Sequence, residues 1–168
     1  MSLLNILQFP DPRLKKIATP VAVFDDELLS LITNMFETMY EAQGVGLAAT
    51  QVNVHKRVIV LDVSNEQNQP LALINPEMIT KVGILEREEG CLSFPGVYAK
   101  VKRYQDIEIK YRDRNGKLQN LKANGGLLSA CIQHEIDHLD GITFFDHLSL
   151  LKRELLEKKL DKNRKRAL

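Results

Sequence analysis

The chain has 168 residues, of which 44% are hydrophobic and 27% are charged, and its formal net charge is +1. This length is typical of one domain that buries a large core without covalent support. The composition argues against intrinsic disorder, and the small net charge argues against an affinity of the whole molecule for polyanions. We therefore expect a single globular domain over residues 1–168.

The N-terminal segment lacks the pattern of a secretory signal, and no apolar run approaches the roughly 18 residues that a membrane span requires. The chain has only two cysteines, Cys91 and Cys131. A disulfide framework is therefore not expected, and a reducing compartment fits the cysteine content. We expect a cytoplasmic, monomeric protein with no membrane partner.

The first predicted element is an amphipathic helix that follows Pro20. Asp25 or Asp26 can cap its start, and Gly44 can end it. Apolar residues recur at helical spacing along it, namely Leu28, Ile32, Met35, Phe36 and Met39. The pattern predicts a helix that covers part of a core.

Short apolar and β-branched runs over 57–63 and 71–76 predict two strands joined by a polar loop. Residues 106–113 alternate between apolar and polar side chains and lead into a turn at 114–116, which predicts an antiparallel hairpin. Gly90, Pro95 and Gly96 indicate a shaped loop around Cys91, so no strand is predicted there.

Helical spacing returns over 126–139, with Gly141 as a stop, and a last amphipathic helix with a basic end is predicted over 148–168. Leu148, Leu151, Leu155 and Leu156 are its predicted apolar stripe. The predicted fold is α+β, with mostly antiparallel strands packed around a central helix, for which the next motif predicts metal binding, and a C-terminal amphipathic helix.

The central helix carries the sequence QHEIDH over 133–138. His134 and His138 are four residues apart, about 6 Å in rise, so both imidazoles can reach one metal ion. Glu135 projects about 100° around the axis, beside such an ion, where it can take a proton from bound water. Because the residues before the motif are apolar, the helix is expected to be buried, where unpaired polar groups are costly.

A stable catalytic metal site needs a third protein ligand. The longer metzincin motif, HExxHxxGxxH, is not matched, because Phe144 stands at the position of its last histidine. In thermolysin-like sites the third ligand is a glutamate from a downstream helix, and Glu154 and Glu157 are candidates for it. Both lie in a charged helical segment, however, where pairing with lysine is the simpler role.

Three other side chains that could bind a metal are weaker candidates. His55 and His147 have polar or mixed surroundings that are typical of surface histidines. The α-carbon of Cys131 is about 10 Å in rise from that of His138, too far for both to bind one ion, so it is interpreted as a core thiol. Elimination leaves Cys91 as the best third ligand, held as a thiolate beside a cation.

Three spaced motifs resemble the signatures of the peptide deformylase family: GVGLAATQV over 44–52, EGCLS over 89–93 and QHEIDH over 133–138. The similarity is near full length. It implies that Cys91, His134 and His138 bind one divalent metal ion, usually Fe²⁺ in bacterial members, with Zn²⁺, Ni²⁺ or Co²⁺ as replacements. Imidazole and thiolate ligands suit several of these metals, so the sequence does not choose among them.

The resemblance implies hydrolysis of the formyl group from the N-terminal formylmethionine of new polypeptides, with release of formate. Metal-bound water is the expected nucleophile, and Glu135 is the expected general base and acid. The side-chain amide of Gln51 and the backbone N–H of Leu92 are expected to stabilise the developing oxyanion.

The resemblance also implies the substrate contacts. The carbonyl of Gly46 accepts a hydrogen bond from the substrate, and its missing side chain lets the peptide approach closely. The methionine pocket is lined by Val45, Leu127 and Cys131 together with the ring of His134. Residues Glu89 and Gly90 complete the predicted substrate-binding set.

Three residues depart from the family pattern. Arg87 stands where many relatives carry an apolar residue, and Ala130 replaces a larger aliphatic one, so the width and polarity of the pocket are expected to differ. Tyr98 stands where some relatives place an arginine that contacts the peptide.

The segment 152–166 carries eight basic residues against three acidic ones. The resemblance implies that this helix contacts the ribosome, whereas a solvated helix packed by its leucines explains the same pattern. Two other functions remain open, a general metallopeptidase that cleaves internal peptide bonds and a ribosome-binding protein without catalysis.

Overall fold

A computed structural model describes residues 2–167, the last of them by its backbone alone. Over these residues the chain forms three α-helices and seven strands, with one helix before the strands and two after them. The helices are α1 (Asp26–Glu41), α2 (Gly126–Leu139) and α3 (Leu150–Ala167). The strands are β1 (Gly46–Ala48), β2 (Val58–Leu61), β3 (Leu71–Val82), β4 (Leu85–Cys91), β5 (Phe94–Arg103), β6 (Asp106–Arg112) and β7 (Leu118–Asn124). Short 3₁₀ turns lie at Pro12–Lys15, Ala49–Val52 and Phe144–His147.

The strands form two antiparallel sheets. Five strands pair in the order β1-β2-β3-β6-β7, and β4 pairs only with β5. This arrangement confirms the predicted α+β fold with mostly antiparallel strands. Within the described residues, β1, β7, β4 and β5 each pair with one strand only, and the free edges of β1 and β4 matter for the cavity described below.

The larger sheet packs between α1 and α2 because side chains alternate along its central strands. In β2, Val58 and Val60 belong to the apolar cluster that contains α1. Ile59 and Leu61 belong to the cluster that contains Ile132 and other α2 residues. Helix α2 is therefore central, as predicted, and no helix among residues 2–167 is long and apolar enough to cross a membrane.

Helix α1 begins as predicted but ends earlier. The carboxylate of Asp25 accepts a hydrogen bond from the N–H of Leu28 at 3.0 Å, so Asp25 is the cap. The helix ends at Glu41, and Gln43 adopts the left-handed conformation with φ 58°, so the prediction that Gly44 ends the helix is wrong. Near this end, the hydroxyl of Tyr40 donates to Asp62 at 2.6 Å.

The segment around Cys91 is a β-hairpin, where the sequence predicted a loop. Cys91 is the last residue of β4 and pairs across a tight turn with Phe94, the first residue of β5. The N-terminal segment ties this turn to the neighbouring 3₁₀ turn. The N–H of Leu7 donates to the carbonyl of Gln51 at 2.7 Å, and that of Phe9 donates to the carbonyl of Ser93 at 2.9 Å.

Helix α3 docks on β5 through a face that matches the predicted stripe in part, because Leu148 and Leu156 pack as predicted and Leu160 joins them. Leu156 and Leu160 are buried against an apolar cluster that includes Val97 and Val101. Leu151 and Leu155 are 69% and 56% exposed, so their predicted packing is wrong. The spacing from Leu156 to Leu160 is one helical turn, and this pair sets which side of α3 faces the protein.

Candidate active site

Helix α2 carries three polar side chains into the protein core. His134, Glu135 and His138 are only 7%, 4% and 0% exposed. The helix tolerates them because Cys131, Ile132 and Leu139 on the same helix bury apolar surface against the sheet. Buried polar groups are costly without partners, yet Oε1 of Glu135 and Nδ1 of His138 have none among residues 2–167.

Cys91 lies beside the two histidines, as elimination predicted. Its Sγ is 3.3 Å from Nε2 of His138, and one ligand atom from each of Cys91, His134 and His138 lies within 4.8 Å of the others. Bonds of about 2.0–2.3 Å to one tetrahedral ion require separations of this order. The residues present therefore fit a divalent metal ion with a thiolate and two imidazoles as ligands.

The rejected ligand candidates lie elsewhere or have other partners. Glu157 pairs with Arg153 at 3.1 Å, and His147 approaches Asp137 at 2.8 Å. His55 lies 3.2 Å from the side-chain oxygen of Asn53. Cys131 is buried and its thiol lies 3.8 Å from the carbonyl of Val45, which agrees with its interpretation as a core thiol.

A buried ionic network supports His134. Its Nδ1 lies 2.9 Å from Oε1 of Glu89, which leaves Nε2 for a metal ion. Arg103 donates two hydrogen bonds to Glu89, at 2.8 and 2.7 Å, and a third to Asp137 at 2.6 Å. Glu89 was predicted to bind substrate, but both oxygens of its side chain are engaged in this network.

Burial and these contacts shift the pKa values of the site. Burial favours the neutral form of Glu89, but hydrogen bonds from Arg103 outweigh it and lower the pKa of Glu89 to about 2. Burial lowers the pKa of His138 well below its usual value, so this imidazole is neutral and able to bind a metal. Burial raises the pKa of Cys131, which stays a thiol, and raises that of Glu135 to about 7.

The side chain of Gln51 is oriented toward Cys91 by hydrogen bonds. Its Oε1 accepts from the N–H of Ala48 at 2.9 Å, and its Nε2 donates to Oγ of Ser93 at 3.1 Å and to Sγ of Cys91 at 3.5 Å. Because the carbonyl oxygen is already engaged, the amide N–H₂ group faces the cluster. Leu92 follows Cys91 in the hairpin turn and borders the same cavity.

A cavity of about 460 Å³ reaches Cys91 and His134 of this cluster and is bordered by Gly46 of β1 and by residues 87–91 of β4. All predicted substrate-binding residues border it, namely Val45, Gly46, Glu89, Gly90, Leu127 and Cys131. A Cβ built on Gly46 would lie 2.7 Å from both Sγ of Cys131 and Oε2 of Glu135. The absence of a side chain at Gly46 therefore makes room for α2, a reason that the sequence analysis did not give.

Comparison with known proteins decides the family. The family model described as polypeptide deformylase matches residues 3–154. The chain belongs to this family. Peptide deformylase from Stutzerimonas stutzeri is 56% identical over 163 residues, covering 96% of each chain. Peptide deformylase 1 from Pseudomonas syringae is 54% identical over 166 residues, covering 98% of each chain.

Solved deformylase structures share the whole fold. A peptide deformylase from Legionella pneumophila superposes with a TM-score of 0.94 at 46% identity, covering 98% of this chain and 96% of that one. The Ehrlichia chaffeensis deformylase in complex with actinonin gives 0.92 at 40% identity, covering 97% and 98%. Family membership makes this chain a hydrolase that removes N-formyl groups from peptides.

The predicted deformylase residues converge, but sequence reasoning missed Arg103, Asp137 and Ser93. Arg103 had a detectable signal, because the inward positions of β5 are Val97, Ala99, Val101 and Arg103. A strand with that alternation would have placed an arginine in the core, where it needs an acid. Because a loop is predicted around Cys91, the alternation of buried and exposed side chains along β5 did not enter the prediction.

Proposed function

We propose that this chain removes the formyl group from the N-terminal formylmethionine of newly made polypeptides and releases formate. Family membership supports the reaction class. The observation that carries the proposal is the cluster of Cys91, His134 and His138 beside the buried carboxylate of Glu135, at the end of a cavity bordered by two strand edges. The proposal treats the chain as one domain that acts as a monomer in the cytoplasm.

The ligand set supports one divalent ion, and Fe²⁺ is proposed as the native one, with Zn²⁺, Ni²⁺ and Co²⁺ able to replace it. Such an ion supplies a hydroxide nucleophile at neutral pH and polarises a carbonyl oxygen. The protein fixes the ligand geometry. Glu89 orients the ring of His134, and the N–H₂ group of Gln51 lies near the sulfur of Cys91.

Glu135 is proposed to move the proton. Its Oε1 has no hydrogen-bond partner among the described residues, and its Oε2 lies against Gly46, which holds the carboxylate at the wall of the cavity. Oε1 would accept the proton of the attacking water and then donate it to the departing amine nitrogen, so that formate and a free amino terminus result.

Two N–H donors are proposed to stabilise the charge that develops on the formyl oxygen. The N–H₂ group of Gln51 is held in place by its bonds to Ala48 and Ser93, so it needs little reorganisation when charge develops. The backbone N–H of Leu92, in the turn next to Cys91, is the second proposed donor. One such donor contributes about 3 kcal/mol to transition-state stability.

The substrate peptide is proposed to lie between the free edges of β1 and β4. An extended peptide can hydrogen-bond to an unpaired strand edge, and the carbonyl of Gly46 and the main chain at Gly90 are the proposed partners. The methionine side chain would contact Val45, Leu127 and Cys131, which border the same cavity. This arrangement selects an N-terminal residue because the cavity ends at the metal ligands.

The test is formate release from formyl-Met-Ala-Ser by protein purified without oxygen, with metal content measured on the same samples. Glu135→Gln should retain the metal and lose about 100-fold or more in rate. Glu154→Gln removes an exposed carboxylate from α3 and is the matched control, with an unchanged rate expected. No formate from fully metallated wild-type protein would refute the proposal, and cleavage of internal peptide bonds would instead indicate a metallopeptidase.

The ribosome is a proposed partner of α3, supported by the excess of basic residues over 152–166. The proposal predicts co-sedimentation with ribosomes that weakens as salt rises. Replacing Lys158, Lys159 and Lys162 by glutamine should weaken this binding while formate release from the short peptide is retained. Co-sedimentation that is unaffected by the triple replacement would argue against α3 as the contact.

A further inference from the structure

The wall of the substrate cavity carries one permanent cation among the residues that the structure describes. Arg87 lies on β4, is half-buried and borders the cavity, whereas the other lysines and arginines of residues 2–167 lie away from it. A half-buried charge is screened less by water and salt than a fully exposed one. A charged group of a ligand that contacts Arg87 would therefore affect binding more than it would at an exposed position.

Arg87 has no acidic partner within the described part of the chain. Alternation along β4 places its side chain on the same face as Glu89, but Glu89 is held by Arg103 and does not pair with Arg87. Glu88 alternates to the other face, where Lys100 is its cross-strand neighbour. The ion pairs over 2–167 leave the guanidinium of Arg87 free to bind an anion.

We propose that Arg87 is a specificity-determining residue that binds a carboxylate of the substrate, so that the enzyme prefers formyl-methionyl peptides with an acidic side chain at the second or third residue. The proposal rests on the proposed deformylase function. The planar guanidinium matches a carboxylate with two parallel hydrogen bonds, which gives directional preference as well as attraction.

The position of Arg87 along the strand supports this assignment. Arg87 precedes Cys91 by four residues, about 13 Å along an extended strand. A peptide whose formyl group lies at the metal ligands and which follows the free edge of β4 spans this distance with its second and third residues and their side chains. The methionine side chain is apolar and cannot satisfy the guanidinium.

The experiment compares five C-terminally amidated substrates. The first three are formyl-Met-Ala-Ala, formyl-Met-Asp-Ala and formyl-Met-Ala-Asp. The other two, formyl-Met-Lys-Ala and formyl-Met-Ala-Lys, carry lysine in place of aspartate. Amidation removes the terminal carboxylate that would otherwise act as a second anion. At least one aspartate peptide should have a kcat/KM about 3- to 10-fold above that of the alanine peptide, mainly through a lower KM. The lysine peptides should lie below the alanine peptide.

Two variants of Arg87 test whether this residue causes the preference for aspartate peptides. Arg87→Gln should bring the ratio of aspartate to alanine peptide close to one, and Arg87→Glu should reverse it in favour of lysine. Lys102→Gln is the matched control, because it removes one positive charge from an exposed position of the same hairpin, outside the cavity. Thermal unfolding of each variant checks that the fold is retained.

The outcomes separate the two proposals. Formate from none of the peptides would overturn the deformylase function itself. Formate with equal kcat/KM for aspartate, alanine and lysine peptides would overturn only the role of Arg87. An equal loss of preference in Lys102→Gln would also overturn it, since the effect would then come from the overall field of the protein.

Discussion

Replacing Arg103 by methionine should expose the dependence of this site on its buried ionic network. The side chain of Arg103 is 3% exposed and lies 2.7 Å from Glu89 and 2.6 Å from Asp137. Methionine has similar length but no charge, so Glu89 would be left ionised, buried and without its main partner. Removing one partner of a buried ion pair costs about 3–5 kcal/mol in the free energy of unfolding.

For a chain of this size that loss corresponds to a fall of roughly 6–20 °C in Tm. It should be measured by urea and thermal unfolding of metal-free protein, so that metal binding does not add to stability. Zinc affinity, measured separately by competition with a chelator, should fall about 10- to 100-fold, because Arg103 no longer holds Glu89 in the position that orients His134.

The control is Lys110→Met, which breaks an ion pair at the surface. The side chain of Lys110 is 49% exposed and that of its partner Glu77 is 64% exposed. That loss should be at most about 1 kcal/mol. The double variant Arg103→Met with Glu89→Gln should recover part of the stability, since no unpaired buried carboxylate remains at that position. An Arg103→Met loss no larger than that of Lys110→Met would refute the reasoning.

Three further predictions concern separate parts of the fold. Gly46→Ala should lower kcat strongly with little loss of metal, since the added methyl group would displace Glu135; unchanged kcat would contradict this. Burial and its bond to Asp62 raise the pKa of Tyr40 from 10.0 to about 12, so stability should be complete below pH 10 and fall as pH rises toward 12. Tyr40→Phe should reduce that fall in pH-dependent urea unfolding. Leu160→Ala should cost about 2–5 kcal/mol in unfolding free energy, whereas exposed Leu151→Ala should cost under about 0.5, and equal losses would contradict the docking of α3.

The central helix and its site were the most predictable part of the molecule. Helical spacing over 126–139 matches the observed bounds of α2, and the four-residue spacing of His134 and His138 directly fixes their shared face. The position of Cys91 beside them followed from elimination and is confirmed by its distance to His138. Local geometry within one helix is sufficient to place the two histidines.

The β4–β5 hairpin was not predictable by the same rules. A half-buried strand is recognised by inward apolar residues, but the inward positions of β4 include Arg87 and Glu89. Glu89 is stable there because Arg103, 14 residues later, pairs with it. The energy that places a polar residue in this core comes from a partner on another strand, and periodicity within one strand does not contain that information.

The ends and orientation of the outer helices depended on tertiary contacts. The sequence offered Gly44 as the end of α1, yet Gln43 takes the left-handed position. Six leucines lie over 148–160, five of them on α3, and several helical stripes can be drawn through them. The aromatic cluster under β5 selects Leu156 and Leu160, a choice that requires knowing which surface the helix meets.

The unpaired edges of β1 and β4 have a consequence for self-association. An open strand edge normally invites pairing with another copy of the same protein, which is a route to aggregation. Here β1 has only three residues, β4 is interrupted by a bulge near Cys91, and both edges border the cavity. A strand from another molecule can reach the parts of these edges that border the cavity only by entering it, as a free chain end can and a strand within a folded sheet cannot. The same geometry that presents backbone hydrogen bonds to a peptide terminus therefore keeps these parts of β1 and β4 from pairing with another folded copy.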